Sequence, residues 1–148
     1  MAAPSFFTPQ RVSGPRPVRR FTLELANQAL PLVKRIVSDI VQAHSRASQC
    51  REMMDKTHGA KEQASVQGEL DRSVMRLEEL VDELSNIGVE LKDYDSGLVD
   101  FVGRHEGRDV YLCWKLGEER ITHWHELNAG FAGRKPVSQL REKDKEKA

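Results

Sequence analysis

Neither sign of charge is in excess in this 148-residue sequence: 23 lysines and arginines stand against 23 aspartates and glutamates. A dedicated nucleic-acid binder usually carries a clear basic surplus, so that class is disfavoured. Cysteine is also scarce. Cys50 and Cys113 are far apart and form no CxxC, which argues against a disulfide framework and fits a reducing cytoplasm. No apolar run approaches ~18 residues, so no segment is read as spanning a membrane. The first residues hold arginine and proline where a signal peptide would hold an apolar core. Aromatic residues make up only 6% of the chain, and both tryptophans and both tyrosines fall within residues 88–134, as do His105, His123 and His125. That concentration marks 88–134 as the stretch around which the rest is organised.

What the chain does contain divides into a body between two basic ends. Residues 1–20 carry Arg11, Arg16, Arg19 and Arg20, no acid, and four prolines. Such a segment cannot bury enough apolar surface to offset its ordering entropy, and is expected to be a disordered tail. Its arginines are the one place where weak contact with nucleic acid or an acidic partner is expected. Residues 138–148 read as a solvated charged tail. The interval 21–137 reads as one domain.

Helical periodicity fills the first half of that domain. Thr22 suits an N-cap, with Glu24 in the first turn. Pro31 disfavours helix just before itself and suits the start of a new one, which predicts a short helix over 23–29 and a long one over 31–56. Val33, Ile36, Ile40, Ala43, Ala47, Cys50 and Met54 recur in coiled-coil-like steps of three and four. After a turn at His58 and Gly59, the series Val66, Leu70, Val74, Leu77, Val81 and Leu84 gives a helix over 61–87, stopped by Gly88. Folding the two back on each other puts large apolar residues together at the base and small ones near the turn.

Short alternating segments then predict strands over 89–92, 98–102, 109–115 and 120–125. The fold class is α+β: a long antiparallel helical hairpin, with a short N-terminal helix, followed by a small antiparallel β-meander of three to four strands. The expected register pairs Phe101 with Val110 in the first hairpin and Leu112 with Ile121 in the second. It sends Val99, Phe101, Val110, Leu112, Trp114, Ile121, His123 and His125 toward the helices, and Asp100, Tyr111, Cys113 and Trp124 away from them. A one-residue slip in the second hairpin exchanges the histidines for Trp124.

Candidate chemistry lies mainly on the last strand. His123 and His125 alternate, so they share a face and could chelate one metal, with Asp100 or Cys113 completing the shell if the register shifts. Packing and hydrogen bonding are the plainer reading, since HxH has no accompanying HExxH. Cys113 as a nucleophile activated by Arg120 is set against a small buried strand residue. Asp93, Asp95 and Asp100 as a cation site are set against turn capping, since the rest of an EF-hand loop is missing. Arg134, after a glycine-rich turn, is expected to pair with Glu118 or Glu126. The candidate cluster is therefore Asp100, Cys113, Glu118, His123, Trp124, His125, Glu126 and Arg134.

The segments FTLELANQALPLV, GVELKDYDSGLVDF, LCWKLGEE and WHELNAGFAGR resemble a small prokaryotic family catalogued as domain of unknown function 2203. The resemblance covers roughly residues 21–137. It implies that Asp100, Cys113, Trp114, Glu118, Trp124, His125, Gly130 and Arg134 stand on family-pattern positions. It implies no activity, since none is established for the family. Two functional expectations follow from the residues. One is a non-catalytic association module, a homodimer or partner-binding domain using the outer sheet face. The other is a metal-dependent hydrolase or acid–base site on His123, Trp124, His125 and Glu126.

Overall fold

A computed structural model of the chain describes residues 18–140. Of the expected tails at 1–20 and 138–148, residues 1–17 and 141–148 lie outside the described residues. Two long helices, α1 (Leu23–Lys56) and α2 (Ala60–Ile87), form an antiparallel hairpin. Five strands follow, β1 (Val89–Asp93), β2 (Leu98–His105), β3 (Arg108–Lys115), β4 (His123–His125) and β5 (Lys135–Pro136), in an antiparallel sheet of sequential order. The α+β class is as expected, with one strand more than the three to four anticipated. Among the described residues no helix is long and apolar enough to cross a membrane.

The separate helices expected at 23–29 and 31–56 are one. Thr22 caps α1, its Oγ1 accepting from the Leu25 amide at 3.1 Å, and Pro31 sits inside the helix. An interior proline forfeits a bond to the carbonyl four residues back and costs about 3 kcal/mol. Ala26, Leu30, Val33, Ile36 and Val37 are buried on both sides of it, so tertiary packing outweighs the local cost. At the other end of the hairpin Gly88 takes the left-handed position (φ 97°) that closes α2.

The sheet lays its inner face on the helix base. Val89, Val99, Phe101, Val110, Leu112 and Trp114 join Leu30, Ile36, Ile40, Leu77 and Leu84 in one core. Gly97 locks the β1–β2 turn against α1. Its φ is 72°, and a Cβ there would lie 2.8 Å from both Val37 Cγ1 and Leu116 Cβ, so only glycine fits.

Both hairpin registers differ from expectation. The loop expected at 103–107 is a two-residue turn, Glu106-Gly107, with φ of 50° and 80°. Paired positive φ angles match the strand twist, so β2 runs on to His105. Phe101 pairs with Leu112 and Val99 with Trp114, a shift of two that preserves the faces. The β3–β4 connection moves by three. Leu112 pairs with Trp124, Cys113 with His123 and Tyr111 with His125. An odd shift turns β4 over: Trp124 enters the core, and both histidines face outward. Residues 120–122 are absent from the strand because α1 holds them. The Ile121 amide donates to Asn27 Oδ1 at 2.8 Å, Lys34 Nζ donates to the Glu119 carbonyl at 2.8 Å, and Ile121 itself is buried.

The chain ends are more engaged than a tail reading allows. The Phe21 amide donates to the Val102 carbonyl at 2.8 Å, and the Phe21 ring meets Phe101 edge-on. Arg19 donates to the Ile87 carbonyl, and Arg20 forks onto both Asp109 oxygens at 2.9 and 3.0 Å. Two of the four arginines offered for nucleic acid are thus committed to the body. Leu140, placed in the charged tail, is buried in the core.

Toward its tip the helical hairpin holds Ala47, Cys50, Val66 and Ser73, so apolar burial thins as expected. Replacing Ile36 or Leu84 by alanine should cost about 2–5 kcal/mol through lost transfer energy and the cavity left behind. Met54→Ala, at a half-buried site near the turn, should cost clearly less. Denaturant melts measure both, and amides near Thr57 should exchange with deuterium faster than those of residues 33–41.

Candidate functional site

Turning β4 over builds a site on the outer face of the sheet. Asp100 and Cys113 are cross-strand partners on β2 and β3, and His125 reaches them from the neighbouring rung of β4. The three are 2%, 0% and 3% exposed. His125 Nε2 lies 3.1 and 3.2 Å from the two Asp100 carboxylate oxygens, while Nδ1 lies 2.7 Å from the Glu126 carbonyl. A carbonyl only accepts, so Nδ1 carries a proton and the tautomer is assigned by the network. The Cys113 thiol lies beside the Asp100 carboxylate, close enough for each to shift the other's ionisation. One carboxylate oxygen, Cys113 Sγ and one His125 nitrogen all lie within 4.8 Å of one another.

Burial dominates the electrostatics here. It pushes the Asp100 carboxyl above its ordinary range, against the pull of His125 and Lys92. Burial, followed by the negative charge of Asp100, pushes the Cys113 thiol up to about 12. The thiolate nucleophile considered above is therefore disfavoured, and the arginine whose charge reaches Cys113 is Arg134, not Arg120. The order of contacts also differs from a nucleophilic triad, since the carboxylate lies between thiol and imidazole and the imidazole does not face the thiol as its base.

The other expected residues divide cleanly. Glu118 and Arg134 pair, with Arg134 Nη2 at 3.0 and 2.9 Å from the two carboxylate oxygens. Glu118 also accepts from the Lys115 amide at 2.9 Å, and its carbonyl takes the Trp114 indole N–H. His123 shares the outer face with Cys113 but is half-buried, its Nδ1 2.8 Å from Thr122 Oγ1. Glu126 pairs with Arg108 at the strand end, which holds its carboxyl below the usual range. Trp124 is 1% exposed, its Nε1 donating to the Pro136 carbonyl and its ring against His105. Asp93 caps Ser96 and Asp95 contacts His44, so the suggested cation turn has its acids turned elsewhere.

Sequence reasoning missed Tyr111 and Glu90, which flank the cluster. The Tyr111 hydroxyl donates to Glu90 at 3.0 Å, and its ring lies 5.4 Å from that of His125. The alternation of β3 put Tyr111 on the face of Cys113, and that was the signal available.

Helical hairpin, five-stranded antiparallel sheet and a buried carboxylate–thiol–imidazole cluster on the sheet's outer face define an α+β protein with a built polar site. The chain belongs to the family described as Uncharacterized conserved protein (DUF2203), whose model matches residues 19–137. No curated protein and no solved structure is similar to it.

A buried thiol pushed up to about 12 reacts poorly, because the thiolate is the nucleophile. In the folded protein Cys113 should resist iodoacetamide at pH 7–8, and it should react readily once the chain is unfolded in denaturant. Mass spectrometry of the labelled peptide checks this.

Proposed function

We propose that the protein binds one divalent transition metal through Asp100, Cys113 and His125, and that this centre is its working part. The observation that carries the reading is the convergence of three different ligand types within 4.8 Å, with the imidazole already oriented. A tetrahedral zinc site spaces its ligand atoms about 3.3–3.8 Å apart, so modest side-chain rotations suffice. Metal-bound histidines usually donate the other ring N–H to a carbonyl or carboxylate, as His125 does to Glu126. Thiolate with imidazole favours zinc or cobalt over magnesium or calcium. Three protein ligands leave a fourth position for water or substrate, the coordination pattern of catalytic zinc sites. This changes the metal expectation built on His123 and His125 with Asp100 or Cys113 completing the shell: His125 is kept, Asp100 and Cys113 both join it, and His123 drops out.

Elemental analysis of the purified protein and titration of the apoprotein with Zn²⁺ or Co²⁺ test the proposal. One equivalent should bind. Cys113→Ser and His125→Ala should each weaken binding at least tenfold, while His123→Ala should change it little. Binding must release the thiol proton, which the apoprotein retains up to pH about 12. Apparent affinity should therefore rise by about tenfold per pH unit from pH 6 to 8, and fall as the solution is acidified. Wild-type protein that takes up no metal over this range would refute the reading.

Association through the sheet is a second reading, but its location moves. Trp124 and Cys113 were expected to stay wet without a partner, and both are buried within the chain. Leu127 and Phe131 are the large apolar residues left exposed beside the site, at 53% and 44%. Sedimentation velocity of the wild type against Leu127→Ser tests for a homodimer on that edge.

A further inference from the structure

The register that pairs His123 with Pro136 and Trp124 with Lys135 sets Arg134 opposite His125 when carried one residue further. Partners across a ladder share a face, so Arg134 starts on the face of the cluster. Its guanidinium ends on Glu118, whose carboxylate also takes the Lys115 amide. Lys115 lies two residues along β3 from Cys113. The arginine side chain therefore runs along the outer face toward the Cys113 rung, close enough for its charge to act on the thiol, and serves as a roof on that side of the proposed ligands. Its outer side is stacked on the Phe131 ring, 4.6 Å from the centroid.

Glu118 engages only Nη2 of this roof. The Nε–H of Arg134 is buried and has no partner in the structure. A charged donor left unsatisfied out of water is costly, and most buried polar atoms are paired. A guanidinium presents its donors as a fork matched to the oxygens of carboxylate and phosphate. We infer that the site takes a ligand bearing an oxyanion, one oxygen at the metal's fourth position and another at Arg134 Nε, with Glu118 holding the arginine until that ligand competes for it. This rests on the metal reading above.

The chemistry behind it is simple. A divalent metal with one thiolate and one carboxylate ligand is neutral overall, and Arg134, once a ligand draws it from Glu118, supplies the positive charge beside it. An anionic group meets a favourable field there, and a cationic one does not. Carboxylate and phosphate share this recognition, so inorganic phosphate serves as the probe.

The experiment uses the full chain loaded with Co²⁺, whose thiolate charge-transfer and visible bands report the coordination. Addition of phosphate at constant ionic strength, against chloride as the control, should shift the visible bands saturably in the wild type. Arg134→Gln should weaken the phosphate response about tenfold or more, the loss of one charge-assisted hydrogen bond, with the charge-transfer band unchanged. Glu118→Gln still offers an oxygen to the Lys115 amide but releases the arginine, and it should strengthen the response. Visible bands that phosphate leaves unmoved while the charge-transfer band is present, or an equal phosphate response in the wild type and Glu118→Gln, would overturn the inference while leaving the metal reading intact. Absence of the charge-transfer band would instead remove the metal reading itself.

Discussion

The arrangement of the outer sheet face depends on how α1 grips the β3–β4 connection. Asn27 lies four residues before Pro31, and its side chain caps the Ile121 amide while Ile121 packs into the core. A segment whose sequence alternates like a strand is thereby held by a helix. β4 starts three residues later than a tight hairpin would start it, and an odd offset reverses which side chains point out. Trp124 packs against the core because of that offset. His125 meets Asp100 for the same reason. Without the hold on Ile121, strand alternation alone would place an imidazole in the apolar core and an indole in the polar network, which is the costlier arrangement on both faces.

Such a network is not what stability alone would select. Asp100 and His125 are removed from water, and replacing buried ion pairs by apolar residues of similar size is often neutral or stabilising. The pairing offsets part of the desolvation. The carboxylate contacts both imidazole and thiol, and Nδ1 is satisfied by the Glu126 carbonyl. The same contacts tie β2, β3 and β4 together on the face away from the helices, where the sheet otherwise has only Val102 among its fully buried apolar residues. Buried groups with shifted ionisation cluster at functional sites, and here a shifted thiol and a shifted carboxylate lie on adjoining rungs beside a buried imidazole.

Much of the helical hairpin was legible because its signals are local and repeated. The seam from Val33 to Cys50, the thinning toward Met54 and the stop at Gly88 each follow from residue types at fixed spacing. Pro31 was misread because a proline penalty is local, while the burial of Leu30 and Val33 that outweighs it comes from a core shared with α2 and the sheet, distant in sequence. The members of the site were legible as types, since Asp100, Cys113, Glu118, His125 and Arg134 were all singled out. Their grouping was not. Alternation fixes which residues of one strand share a face, but the face itself depends on register, and register here goes with contacts from a distant helix, Asn27 to Ile121 and Lys34 to Glu119. The Glu106-Gly107 turn failed differently: the glycines at 103 and 107 look alike in sequence, and only Gly107 has a positive φ.

The closed roof of Arg134 and Glu118 bears on how any ligand reaches the cluster. Arg134 is fixed by a two-oxygen contact to Glu118 and by the Phe131 ring, and the backbone just before it has few other anchors. Residues 128–132 are exposed and include Gly130 at φ 67°. The sheet contact of β5 is only two residues long. Opening the roof therefore breaks one ion pair and one ring contact, and leaves the core, the helical hairpin and the β2–β3 ladder untouched. Segments with so few buried contacts are those that open locally at low free energy. The site is thus buried at the level of side chains and lightly covered at the level of the backbone, an arrangement that would let the proposed centre exchange ligands while the cluster stays shielded from water.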